Sequence, residues 1–361
     1  MNGIKALQSL GQSIWYDNMD RELLISGAMA ELVQQGVTGI TSNPTIFEKA
    51  IKSSTAYDTA VREADATTVE QLFDEISRSD IQEACRLLMP VYQETRGKDG
   101  YVSIEVAPVL AHDAVGTVQE GRRLFEAIGM PNVMIKVPGT PEGIKAVQAL
   151  TEAGINVNVT LIFSLTLYKR VMEAYIRGLH KRLNSGLDVQ SVASVASFFV
   201  SRVDAAVDAQ LKEMNASESL FGTAAIANAK MAYALFEETF SSSDFKELAA
   251  AGANVQRILW ASTGQKNAAY DPLMYVNELV GPNSVNTVPP ATLDLLQKRN
   301  DYKVTVEQNV ELARQQIQSL AEVGIDIEDV VNSLLTQGLQ AFNQSYASLL
   351  DALRSKQEQV R

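Results

Sequence analysis

A single cysteine, Cys85, stands in 361 residues, so no internal disulfide can form and no CxxC pair exists to grip a metal. Histidine is nearly as scarce: His112 and His180 are too few and too isolated for an imidazole-based metal site. Cationic side chains are in deficit, 31 Lys and Arg against 43 Asp and Glu, and the resulting charge of −12 repels nucleic-acid phosphate and anionic lipid. Any phosphate must therefore be met by a local cationic pocket. No run of 18 apolar residues occurs, and the opening MNGIKALQSLGQSIWYDN lacks the charged, apolar and small-residue order of a signal peptide. Gly/Ser or Pro-rich linkers, low-complexity tracts and a Gly-rich nucleotide loop are missing as well. These absences lead us to expect a cytoplasmic protein with no metal, no cofactor, no nucleic-acid partner and no membrane partner. A homo-oligomer is left open.

What is present is a composition 46% hydrophobic and 20% charged, that of a globular chain able to bury a large core. Short β-branched runs recur at residues 14–18, 37–43, 101–107, 132–137, 156–163, 192–200, 257–263 and 284–288. Between them lie helix-like segments, among them 20–35, 118–128, 141–153, 165–184 and 224–240. Eight strands alternating with helices predict an α/β protein, a closed (β/α)8 TIM barrel. Two gaps of about 65 residues, between the second and third and between the sixth and seventh runs, leave room for additional helices. After Pro290 the chain is expected to be helical to its end, with Val306, Val310, Ala313, Ile317 and Leu320 at helical spacing. We read residues 1–361 as one barrel domain. Its helical C-terminal extension, from about residue 304 to 361, would pack on the outside or over one mouth.

In a barrel strand alternate residues face the lumen, and catalytic groups gather at the strands' C-terminal ends. In the third run Val102, Ile104 and Val106 share the apolar parity while Ser103 and Glu105 share the other. In the fourth, Val133, Ile135 and Val137 oppose Met134 and Lys136. The fifth splits Val157, Val159 and Leu161 from Asn156, Asn158 and Thr160, the second puts Gly39, Thr41 and Asn43 together, and the first places Asp17 near its end. One lysine near a strand end is ordinarily a solvated rim residue. Five consecutive strands with polar residues on the minority face are a different matter, because buried charges must compensate one another. Lys136, Glu105 and Asp17 therefore form a candidate site, with Asn43, Asn158 and Thr160 as hydrogen-bonding company.

A buried lysine beside carboxylates, without a thiol dyad or histidine cluster, points to amine nucleophilic chemistry. Only a neutral amine attacks a carbonyl; desolvation favours that form and nearby carboxylates oppose it. The implied intermediate is a Schiff base, whose protonated nitrogen draws electrons so that an adjacent carbon–carbon bond breaks when a carboxylate removes a hydroxyl proton.

At these residues the sequence resembles the transaldolase family, its longer bacterial form in particular. GVTGITSNPTIFEKAI (36–51), VSIEV (102–106), NVMIKVPGTPEG (132–143), GINVNVTLIFS (154–164), SFFVSRVD (197–204) and ILWASTGQK (258–266) look like family motifs in family order. The resemblance implies transfer of a dihydroxyacetone unit in the pentose phosphate pathway: sedoheptulose 7-phosphate and glyceraldehyde 3-phosphate give erythrose 4-phosphate and fructose 6-phosphate. It further implies that Lys136 forms the Schiff base and that Asp17 is the acid/base at the breaking bond. Glu105 with Thr160 would position a water, and Asn43 and Asn158, with Thr41, would hold substrate. Phosphate would fall to Ser197 and Arg202 near the sixth strand and Ser262 after the seventh. Gly264 stands where shorter relatives carry arginine, which makes Lys266 the substitute cation. Phe199 shares Ser197's parity and would wall the pocket, whereas Phe198 would pack outward.

Other signals have ordinary explanations. Thr140 followed by Pro141 and Glu142 reads as helix capping rather than a phosphate loop. His112 reads as a surface or capping residue, residues 241–244 as a capping turn, and Arg257 as a rim ion pair on the opposite barrel face. Asn158-Val159-Thr160 matches a glycosylation triplet inside a core strand, where it has no use. Two rivals remain: a fructose-6-phosphate-cleaving class I aldolase, against which Glu105 argues, and a sugar-phosphate-binding barrel without catalysis.

Overall fold

Alternating β-branched and amphipathic segments resolve into a closed barrel in a computed structural model that describes residues 2–360. Its strands are β1 (Gln12–Tyr16), β2 (Gly39–Thr41), β3 (Tyr101–Glu105), β4 (Val133–Pro138), β5 (Val157–Ile162), β6 (Ser194–Phe199), β7 (Gln256–Ala261) and β8 (Ser284–Val288). All neighbours pair in parallel and β8 returns to β1, Gln12 opposite Ser284. Each expected run overlaps a strand, but β1 and β7 begin before the expected start and several strands stop short of the expected end. Asp17, Asn43 and Ser262 lie just beyond β1, β2 and β7, where the ladder gives way to caps and turns. Asn43 starts the helix Pro44–Ser53, and Ser262 has a left-handed φ of 58°.

Helices 165–184 and 224–240 form as expected. The expected helix 20–35 is two, Arg21–Ile25 and Ala28–Gln35, broken where Gly27 takes a φ of +83°. The two long gaps hold the additional helices, Pro44–Ser53, Asp58–Glu63 and Val69–Glu94 in the first, Ser201–Glu213, Ala224–Phe240 and Ser243–Ala250 in the second. The tail departs from continuous helix. After Pro290–Leu296 the chain runs without helix to residue 309, and Val306 packs in that segment rather than on a helix face. Helices Val310–Glu322 and Ile327–Val360 follow.

The N-terminal end of the barrel is filled by Trp15, whose ring lies where a side chain on Gly39 would stand, 2.5 Å from a Cβ built there. Its Nε1 donates to Asp99 Oδ1 at 2.7 Å, and Arg257 joins Asp99 at 3.7 Å while donating to the carbonyls of Lys98 and Ser284. Arg257 is thus the rim ion pair expected of it. Midway up the lumen Ser197 Oγ donates to Asn158 Oδ1 at 2.7 Å and Asn158 Nδ2 donates to Ser103 Oγ at 3.0 Å. This satisfied chain joins β6, β5 and β3 across the lumen beside the charged groups.

The C-terminal helix, Ile327–Val360, crosses the C-terminal mouth. It buries Leu334, Leu349 and Leu353, each worth about 1.5–3 kcal/mol relative to exposure. Thr45 Oγ1 donates to Ser345 Oγ at 2.9 Å, and Lys356 pairs with Asp58 at 2.8 Å. Where the helix passes β5 it carries Gly338, and a Cβ there would stand 3.0 Å from Leu161 Cδ2. Leu161 itself departs from the expected alternation: its φ is +60°, at a bulge where the β5–β6 register shifts between Val159 and Ile162. The bulge re-aims Leu161 from the outer face to the mouth.

Candidate active site

Register brings Lys136 opposite Glu105 on one side and Asn158 on the other, so all three enter the lumen at one level. Lys136 Nζ lies 2.5 Å from Glu105 Oε1, and both side chains are only 8% exposed. It also donates to the carbonyl of Ser42 at 3.1 Å. Burial pushes the Glu105 carboxyl up to about 6, against the pull of the Lys136 ammonium and with a further push from Asp17. Glu105 Oε2 and Thr160 Oγ1 are buried and have no hydrogen-bond partner among the described residues.

Asp17 is partly buried and stays in line with β1 because its N–H donates to the Val288 carbonyl at 2.9 Å. Its Oδ1 accepts from Thr41 Oγ1 at 2.7 Å, and Thr41 is a further 2.7 Å from Thr287 Oγ1. Burial raises the carboxyl above the ordinary aspartate range, while Lys136, the Thr41 hydroxyl and more distant Lys266 draw it back. Two carboxyls thus flank one buried amine, each disposed to carry a proton nearer neutrality than a surface carboxylate would. Beside them a cavity of about 980 Å³ opens between the C-terminal helix and helix Val69–Glu94, bounded in part by Ser42, Asn43 and Glu105.

The family described as Transaldolase/Fructose-6-phosphate aldolase matches residues 14–353. The chain belongs to that family. The transaldolase of Thiobacillus denitrificans is 46% identical over 97% of this chain and 99% of its own length. Transaldolases of Trichodesmium erythraeum and Saccharopolyspora erythraea are each 43% identical, covering 98% and 100% of this chain and 97% and 99% of their own. Family and full-length likeness make the chain an enzyme with transaldolase activity, which removes the barrel without catalysis as a rival.

In this transaldolase-family barrel the remaining expected residues divide into those that line the mouth and those that support it. Thr41 donates to Asp17 and so holds that carboxylate in place. Asn43 Oδ1 caps helix Pro44–Ser53 by accepting from Ile46 N–H at 3.0 Å, which leaves its Nδ2 for a ligand. Asn158, the register neighbour of Lys136, is tied to Ser197, which makes Ser197 a lumen residue. Phe199, at the end of β6, packs 5.1 Å from Phe163, and the Arg202 guanidinium lies 5.4 Å over its ring. Phe198 faces outward against Tyr168 and Trp260. Arg202 forms no ion pair and no hydrogen bond among the described residues, and burial draws its guanidinium below its ordinary range. Ser262 Oγ is 3.0 Å from Ser201 Oγ, while Lys266 is exposed on the segment that follows. His112 stands on the surface 3.6 Å from Glu142, and Thr140 and Ser242 cap helices.

Sequence reasoning missed four contributors. Ser42 acts through its carbonyl, which no residue type signals. Ser201 is passed over in favour of Ser197, although its place one residue before Arg202 was a usable sign. Phe342 and Leu339, which reach the site from the C-terminal helix, have no signature because their place depends on where the tail docks.

The Glu105 shift sets a pH dependence. A carboxyl raised to about 6 favours the fold when protonated, a contribution present below the ordinary glutamate range and lost as pH rises through about 6. Base work runs the other way, needing the ionised form. In a steady-state profile kcat/KM should fall as pH drops through about 6, and a Glu105→Gln variant, slower throughout, should lack that limb. An acid limb unchanged in the variant would assign it to another group.

Proposed function

We propose that Lys136 forms the Schiff base through which this enzyme moves a three-carbon dihydroxyacetone unit from sedoheptulose 7-phosphate to glyceraldehyde 3-phosphate, giving erythrose 4-phosphate and fructose 6-phosphate. The observation that carries the reading is a buried amine 2.5 Å from Glu105 in the mouth that also holds Asp17. The neutral Lys136 amine attacks the ketose carbonyl. Glu105, ionised at the outset, takes a proton through a water shared with Thr160 as the amine is freed to attack, and returns it to the carbinolamine hydroxyl, which leaves as water and gives a protonated imine. Asp17 takes the proton of the hydroxyl on the far carbon of the breaking bond, that carbon becomes the aldehyde, the bond electrons pass toward the imine nitrogen, and an aldose phosphate departs. The acceptor aldehyde adds to the retained unit as Asp17 returns its proton, and hydrolysis of the new imine frees Lys136.

Several features support the sugar-phosphate assignment. Arg202 stands in the first turn of helix Ser201–Glu213, which has no side-chain cap, so a guanidinium without a carboxylate partner among the described residues sits at a helix N-terminus; the Ser201 and Val203 N–H groups there already donate to the carbonyls of Ser262 and Val200. Ser201, Ser262 and Lys266 complete the anion end, and Phe199 with Asn43 Nδ2 would face the carbon chain. The described residues named for this site all come from one chain. The site draws on both barrel and C-terminal helix, which supports reading residues 1–361 as one domain. The cytoplasmic expectation is supported by free, buried Cys85, and no helix among the described residues is long and apolar enough to cross a membrane.

Borohydride reduction with fructose 6-phosphate, followed by peptide mass mapping, tests the central step. A reduced three-carbon adduct is expected on Lys136, because the dihydroxyacetone imine waits for an acceptor. An adduct on Lys145 or Lys266 instead would overturn the assignment. The fructose-6-phosphate-cleaving aldolase predicts the same adduct but rapid release of free dihydroxyacetone without acceptor.

A further inference from the structure

Release of dihydroxyacetone and its transfer diverge at one intermediate, the carbanionic unit held on the lysine. Release takes a solvent proton onto the carbanionic carbon and a water oxygen onto the imine carbon; the C–N bond breaks, returning a free ketone and the lysine amine. Transfer takes an aldehyde carbon instead. Whatever limits water above Lys136 therefore sets the ratio of the two outcomes.

That limit is visible where the C-terminal helix crosses the mouth. Glu105, Lys136, Thr160, Leu161, Leu339 and Phe342 enclose a space of about 10 Å³, the size that holds a single water. Its polar walls include Glu105 Oε2 and Thr160 Oγ1, both without a hydrogen-bond partner among the described residues. The apolar walls are the re-aimed Leu161 and two residues of the helix. The ring of Phe342 lies 6.0 Å from Lys136 Nζ, a placement that also favours a cation there, protonated amine or protonated imine. Gly338 lets the helix come down onto Leu161, which brings Leu339 and Phe342 within reach of the lysine.

We propose that Phe342 and Leu339 are specificity-determining residues that roof the Lys136 imine, admitting one water at the Glu105–Thr160 position and excluding bulk water, and so favour transfer over release. The proposal rests on the Schiff-base reading. Neither residue takes part in bond making; they act by restricting what reaches the imine.

The test is a partition ratio measured on the full-length enzyme with fructose 6-phosphate as donor and erythrose 4-phosphate as acceptor. Free dihydroxyacetone is counted against sedoheptulose 7-phosphate formed. In Phe342→Ala the released fraction should rise roughly ten-fold or more, with a smaller rise in Leu339→Ala and a value near wild type in Phe342→Leu, which restores apolar bulk. A merely structural role would lower both products together, so an unchanged ratio in folded Phe342→Ala and Leu339→Ala overturns the roof. Failure of borohydride to label Lys136 in the wild type overturns the Schiff-base reading instead, and the two failures are told apart by that labelling.

Discussion

Lys136→Ala should lower turnover by roughly ten-thousand-fold or more while the barrel stays folded, because a reaction that runs through one covalent nitrogen has no substitute for it. The fold survives for an electrostatic reason. Stranding an ionised partner of a buried pair costs about 3–5 kcal/mol, but Glu105 is already pushed up to about 6 and can shed its charge by taking a proton. The variant should accordingly be relatively more stable in mild acid than at neutral pH, and by a wider margin than the wild type, because Lys136 no longer opposes protonation of Glu105. Coupled assay of erythrose 4-phosphate formation and thermal melts at two pH values check both halves. Retained activity in a folded Lys136→Ala protein would remove Lys136 from the mechanism.

Arg202→Ala should raise KM for phosphorylated substrates about ten-fold or more, a charge-assisted contact being worth about 1.5–3 kcal/mol. The size of the effect follows from its surroundings. A half-buried guanidinium with no acidic partner among the described residues is poorly solvated and gains much from an arriving phosphate, and the net charge of −12 offers the substrate no general attraction. Lys266→Ala should cost less, since an exposed ammonium is screened by salt. Glyceraldehyde as a non-phosphorylated acceptor is the control, and Arg257→Ala, on the other barrel face, should leave both acceptors unaffected as far as binding goes. Equal losses with and without phosphate would show that Arg202 acts through the fold or the chemistry.

The barrel was legible because its cause is local: each β-branched run marks a strand, and the count of eight needs no knowledge of how strands meet. The charged site was legible for the same reason, since parity places Glu105, Lys136 and Asn158 in the lumen before any pairing is known, and the register then sets them side by side. Parity failed at Leu161, where a residue with positive φ breaks the alternation that the apolar side chain obeys in sequence. Residue type alone also gave no sign that the Thr41 and Ser197 hydroxyls are engaged within the protein, because hydroxyls that face a lumen bind whichever acceptor is nearest, here Asp17 and Asn158. The roof was illegible. A helix some 180 residues beyond β5 reaches Lys136 only through tertiary docking, and its apolar residues look like those of any amphipathic helix.

Closure of the barrel also orders events during synthesis. β1 gains its second neighbour only when β8 exists, and Gln12 and Ser284, which hydrogen-bond at 2.9 Å, are 272 residues apart. At roughly 5–20 residues per second that separation leaves the free edge of β1 without its partner for roughly 14 to 54 s. During that interval the nascent chain carries an open, apolar sheet edge of the kind that invites pairing with other chains. Folding of the strands is thus tied to ribosome speed, and a chaperone that shields the first strand has a defined window in which to act.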